Sequence, residues 1–114
     1  MKDLIVEPEA EAELSRGVDW YEDEAPGKGA ALAQEAEARV NRLTMPGAIG
    51  VRVPGVREDL PVRRVFLEGF PYAVIYLETA NAIHVVAFAH FKRKPLYWRS
   101  RLRRVLRSSP ENEA

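Results

Sequence analysis

The chain changes its hydrophobic period near residue 47. Before that point apolar residues recur at spacings of three and four; after it they come in short dense runs. Residues 2–7, Lys-Asp-Leu-Ile-Val-Glu, read as a short strand. Pro8 then suits a first helical turn, and Glu9, Glu11 and Glu13 favour the positive end of a helix dipole. Leu14, Val18 and Tyr21 mark the inner face of a helix ending near Ala25, before a Pro26-Gly27 break. Leu32, Ala36, Val40 and Leu43 mark the inner face of a second helix reaching about Thr44.

Met45-Pro46-Gly47 closes this hairpin. Val51 to Val53 is a weak strand, and residues 54–61 form a loop with Arg57, Glu58 and Asp59. Residues 62–68, 70–79 and 82–91 have the β-branched and aromatic composition of strands, with turns at Gly69 and Ala80-Asn81. A last helix over about 96–107 puts Trp98, Leu102, Val105 and Leu106 on one face and five arginines on the rest. The pattern predicts an α+β domain over 1–107: an N-terminal strand, a helical hairpin, an antiparallel sheet of about four strands and a basic C-terminal helix. Packing of the helices on one face of the sheet would leave the other for solvent or a partner. Residues 108–114 read as a polar, disordered tail.

The length, 114 residues, suits one domain with a core of its own. Formal net charge is zero, which on its own argues against a polyanion partner. The placement of the charges reverses that inference. Residues 1–38 hold 11 acids and 3 bases, whereas residues 39–107 hold 4 acids and 14 bases. Such opposed halves point to nucleic-acid or acidic-protein partners, or to acidic helices pairing with basic elements inside the fold.

With no cysteine, disulfides, thiolate nucleophiles and Cys-based metal sites are excluded. The N-terminus turns acidic too early for a secretory signal. The longest uncharged run, Thr79 to Phe91, is 13 residues, too short for a membrane helix of about 20. A cytoplasmic protein with no membrane partner is expected.

His84 and His90 fall on one strand and, six residues apart, are expected on the same side about 20 Å from each other, too far to share a metal. His84 reads as a structural strand residue. His90 stands beside Phe91-Lys92-Arg93-Lys94-Pro95, where a group titrating near neutrality among cations suits proton transfer. No carboxylate pair, phosphate loop or serine nucleophile is apparent, and no metal or cofactor is expected. The basic cluster is the strongest signal. Arg63, Arg64, Lys92, Arg93, Lys94 and the helix arginines are interleaved with Tyr72, Tyr76, Tyr97 and Trp98. That combination suits RNA binding, or arginine stabilisation of phosphate charge during metal-free strand cleavage. It also suits core aromatics with arginines paired to glutamates, and Trp98 belongs to such a packing stripe.

Three segments in order resemble the RelE/ParE toxin superfamily: Ala12-Glu13-Leu14 through Trp20-Tyr21-Glu22, Phe70-Pro71-Tyr72 with Ile75-Tyr76, and His90-x-x-Arg93-x-Pro95-x-Tyr97-Trp98-x-x-Arg101. The match spans roughly residues 2–102. The resemblance implies the toxin half of a bacterial type II toxin–antitoxin pair, also described as a plasmid stabilisation protein. Such a toxin arrests growth and is neutralised in a hetero-oligomer by a cognate antitoxin, ParD-like or a similar small protein. The Trp-Tyr-Glu and Phe-Pro-Tyr segments look more like the ParE side, which implies inhibition of DNA gyrase by binding and no enzymatic activity. A RelE-like alternative implies cleavage of mRNA on the ribosome, with Arg64 and Arg93 on phosphate and His90 or Tyr97 in proton transfer. The lysine-rich middle of RelE-like nucleases is missing here, since the only lysines after Lys28 are Lys92 and Lys94. Contacts with target or antitoxin are expected from Arg63, Tyr72, Tyr76, Arg99 and Arg101. A third reading is an inactive relative that only binds an antitoxin.

Overall fold

The computed structural model describes residues 2–108. The elements run β1 (Asp3–Val6), α1 (Pro8–Glu24), α2 (Lys28–Arg42), β2 (Val51–Arg52), β3 (Val62–Phe66), β4 (Tyr72–Glu78), β5 (Ala82–His90) and α3 (Arg99–Ser108). Ser108 therefore closes α3, and the tail expected after it lies outside the described residues.

Local chemistry sets the helix boundaries. Pro8 occupies the first turn of α1, with Glu9 and Glu11 in the same turn. At the other end, both carboxylate oxygens of Glu22 accept backbone N–H groups, from Gly27 and Gly29, each at 2.9 Å. Glu22 thus satisfies donors that the start of α2 would leave open. These bonds also hold its carboxyl below the usual carboxylate range. Gly29 lets the helices close up, because a Cβ there would lie 2.4 Å from the Val18 carbonyl oxygen.

The sheet has five strands in the order β1-β5-β4-β3-β2. The four later strands form the expected antiparallel meander, with Thr79 and Ala82 closing a tight turn through a 2.9 Å backbone bond. The N-terminal strand adds a parallel neighbour, pairing Asp3–Val6 with Ala82–Val85, so the sheet is mixed.

One expectation fails in an informative way. The helices do not share one face. Leu32, Ala36 and Val40 of α2, with Leu43 just beyond its end, pack with Val74, Tyr76, Val85 and Phe88 in one apolar cluster. Trp98, Leu102 and Val105 form another with Ile75, Leu77, Val86 and Ala87. The hairpin covers one face and α3 the other, so the second face is no open surface. Apart from Glu78 at the end of β4 and the two histidines of β5, the apolar sequence of these strands fits burial on both sides.

A β-bulge links the two clusters. Ile75 pairs with Ala87 and Tyr76 with Val85, leaving Val86 as an extra residue in β5. Val86 and Ala87 consequently both face α3. This phase shift corrects the expectation for the histidines. His84 pairs across with Leu77 on the α3 side, whereas His90 pairs with Tyr72 on the hairpin side. The two rings lie on opposite faces.

Candidate functional site

Beyond Val85, β1 has ended and the outer edge of β5 is left without a strand neighbour. Side chains from both layers close it. The Phe88 N–H donates to Glu13 Oε1 at 3.2 Å, and the Val86 carbonyl accepts from Arg101 Nη1 at 3.0 Å. Glu13 comes from α1 on one face and Arg101 from α3 on the other. They meet at the edge in a two-pronged pair, Nη1–Oε1 at 2.9 Å and Nη2–Oε2 at 3.2 Å.

Glu13 is only 6% exposed and carries further partners. The Tyr97 hydroxyl donates to its Oε2 at 2.5 Å, and Arg93 Nη1 lies 3.8 Å from the same oxygen. The Arg93 guanidinium sits over the Tyr97 ring, 3.8 Å from the centroid. Burial, together with the bond to Glu13, pushes the Tyr97 pKa far above the ordinary phenol value. Burial opposes the charge on Arg101, but the bond and charge of Glu13 outweigh it and raise its pKa. One turn away, Glu9 pairs with Arg104, which lowers the Glu9 pKa. Part of the charge opposition between the halves of the sequence is therefore spent inside the fold.

Glu13 was not among the candidates read from the sequence. Its signal was there: Ala10, Glu13 and Gly17 fall at spacings of three and four and are the buried residues of α1. A carboxylate in a stripe of small residues marks a buried polar group that needs partners.

The remaining candidates divide between two grooves. One, of about 570 Å³, lies between α1 and the end of β5, lined by Arg16, Trp20, Tyr72, His90, Phe91 and Lys92. The other, of about 460 Å³, lies on the α3 face and brings Arg64, His90, Arg93 and Tyr97 together with Phe66 and Lys94. No carboxylate lines the second groove among the described residues. His90 Nδ1 accepts the Lys92 N–H at 3.0 Å, so in the neutral ring the proton sits on Nε2. The His90 ring also meets the Tyr72 ring edge to face, centroids 5.0 Å apart. Burial raises the Tyr72 pKa.

Arg63 and Tyr76 stand elsewhere. Both hold Gly50, Arg63 Nη1 by donating to its carbonyl at 2.9 Å and the Tyr76 hydroxyl by accepting its N–H at 2.7 Å. Arg99 is exposed at the start of α3. Among the described residues no three His, Asp or Glu side chains gather as metal ligands, and no helix is long and apolar enough to cross a membrane.

No family model matches the sequence, and no curated protein matches it. Among solved structures, the chain is similar to one described as the chromosomal ParDE TA system from P. aeruginosa. The TM-score is 0.67 at 22% identity, over 81% of this chain and 98% of that one. In fold the chain is thus RelE/ParE-like, as its sequence motifs imply.

Proposed function

We propose that this protein is the toxin of a toxin–antitoxin pair, of the ParE kind, and that it arrests growth by binding and inhibiting DNA gyrase until an antitoxin covers it. The fold shared with a ParDE chain supports the toxin assignment. The choice of a binding inhibitor over a nuclease rests on one observation: Glu13 already holds the Tyr97 hydroxyl. A phenol kept protonated against a carboxylate is a poor general base, which counts against Tyr97 in proton transfer.

The nuclease reading keeps one observation in its favour. Arg64, His90, Arg93 and Lys94 line a single groove without a carboxylate, which suits metal-free stabilisation of phosphate charge.

Two assays on the purified chain separate the readings. Supercoiling by gyrase should be blocked in a dose-dependent way, with transcripts on translating ribosomes left intact. Cleaved transcripts with unaffected supercoiling would establish the nuclease instead. If neither changes and induced expression leaves growth unaltered, the toxin assignment itself fails.

A further inference from the structure

The five arginines of α3 divide into two sets. Arg101 is held by Glu13 and Arg104 by Glu9, both acids of α1. Arg99, Arg103 and Arg107 recur every four residues, stand exposed and form no ion pair among the described residues. Positions four apart share one side of a helix, so the three make a stripe that rises ~6 Å per step and ~12 Å in all. Leu102 and Val105 are buried against the sheet, which turns the stripe outward. α3 contains no acid and no aromatic residue. The loop before β3 reaches the same cluster through Val56 and Leu60, but its charges balance. Arg57 pairs with Asp59 at 2.6 Å, and Glu58 stands beside Arg52, which donates to its carbonyl. The outer side of α3 keeps its three positive charges.

We propose that this stripe is a contact surface for the sugar–phosphate backbone of duplex DNA, with one guanidinium on each of three phosphates. A stripe of ~12 Å matches three to four phosphates at ~3.4 Å of rise along one strand. Guanidinium groups present paired donors that suit phosphate oxygens. The inference rests on the gyrase reading only for its setting. Gyrase works on duplex DNA, so the inhibitor would touch the enzyme and its DNA together.

Other occupants fit this surface less well. A protein interface has an apolar core inside its polar rim, and none of the exposed large apolar residues belongs to α3. A single strand is held by stacking its bases on rings, and α3 offers none. A duplex needs neither, because its phosphates lie outermost and are met by cations alone. The stripe is also separate from both grooves at the end of β5, since none of its arginines lines them.

The test titrates a fluorescein-labelled DNA duplex of two helical turns with the purified full chain and follows anisotropy at rising salt. With three phosphates neutralised, log affinity should fall against log salt with a slope of about −2.7, roughly 40-fold between 50 and 200 mM. Arg99→Gln, Arg103→Gln and Arg107→Gln should each flatten the slope by about 0.9, and the triple variant should lose binding. Circular dichroism checks that α3 stays folded in each. Duplexes of unrelated sequence should bind alike. Arg42→Gln, which removes the same charge from an exposed position at the end of α2, should leave the slope as it is. No binding at low salt, a slope unmoved in the triple variant, or an equal loss in Arg42→Gln would overturn the proposal. So would tighter binding of duplex RNA or of an oligouridylate than of the DNA. Salt-sensitive self-association, abolished in the triple variant and undisturbed by DNA, would assign the stripe to the acidic hairpin of a second copy and overturn it too. Duplex binding by a chain that leaves supercoiling unaffected would sink the gyrase reading and leave the DNA contact standing; blocked supercoiling by a chain that binds no duplex would do the reverse.

Discussion

Glu13 and Arg101, carried by helices on opposite faces of the sheet, join in a two-pronged ion pair at the edge of β5, with oxygen–nitrogen distances of 2.9 and 3.2 Å. The pair does for β5 what a sixth strand would do. It satisfies one backbone donor and one acceptor beside the bulge, and it pins α1 to α3 across the layer between them. An open strand edge invites pairing with other chains, and here two side chains cover it.

Loss of one member should be costly. Glu13→Ala strands Arg101, the Phe88 N–H and the Tyr97 hydroxyl, and should lower unfolding free energy by about 3 kcal/mol. Arg101→Met in the same background should add much less than it does alone, because the charges it would strand are already gone. Urea unfolding of the two single variants and the double variant measures both, and additive losses would rule out the coupling.

Tyr97→Phe removes a hydrogen bond to a charged acceptor and should cost about 1.5–2 kcal/mol near neutral pH. The pH dependence has a definite sign. The folded-state pKa of Tyr97 is raised, so its contribution is complete below the ordinary phenol range and fades as pH rises through and beyond that range. Stability of the parent should fall more steeply than that of Tyr97→Phe above pH ~10. Parallel curves would separate Tyr97 from the alkaline loss.

Gly17 faces the first groove, where a Cβ would lie 2.6 Å from the Tyr72 hydroxyl oxygen. Gly17→Ala should therefore destabilise by roughly 1–3 kcal/mol despite the better helix propensity of alanine. Removal of the obstructing oxygen by Tyr72→Phe should recover much of that loss. Thermal melts of the single and double variants decide it, and a double variant no better than Gly17→Ala would point to the Tyr72 ring carbon and Leu32, 3.2 and 3.3 Å away, as the real obstacles.

Acid should loosen α3. The Glu9 pKa is lowered, first by its bond with Arg104, so this pair contributes above the ordinary carboxylate range and is lost as pH falls through and below it. Protection of the α3 amides, corrected for the intrinsic exchange rate at each pH, should fall on acidification sooner than protection in β4. Glu9→Gln should abolish much of that difference.

Periodicity carried most of the architecture. The faces of α1 and α2, the three long strands and the apolar stripe of Trp98, Leu102 and Val105 follow from spacing alone, because each element is long enough for its pattern to repeat. Placement of α3 did not follow. A stripe identifies which residues are buried but not the face of the sheet that receives them, and the nearly continuous apolar runs of β4 and β5 were the hint that both faces are covered. The parallel pairing of β1 was hidden for a similar reason, since four residues carry no mark of their neighbour. At the site, Arg93, Tyr97 and Arg101 were legible as a cluster because they lie within nine residues of one another. Their common partner, Glu13, is 84 residues from Tyr97 and looked like one more acid toward the start of a helix.

The extra residue in β5 means that tolerance to substitution should lose its rhythm along that strand. In a regular strand, sensitive and permissive positions of a mutational scan alternate, or all are sensitive to a similar degree. Here polar replacements at Val85 and Val86 should fail for different reasons, one opening the hairpin cluster and the other the α3 cluster. Removal of Val86 by single-residue deletion should be tolerated better than either, because Val85 and Ala87 already pair with neighbouring residues of β4 and the ladder closes with Ala87 to His90 on the faces they hold. A residue inserted between Ala87 and Phe88 would instead turn His90 away from Tyr72 and drive Phe88 toward α3. One surplus valine thus breaks the rhythm of the strand without changing what its end presents.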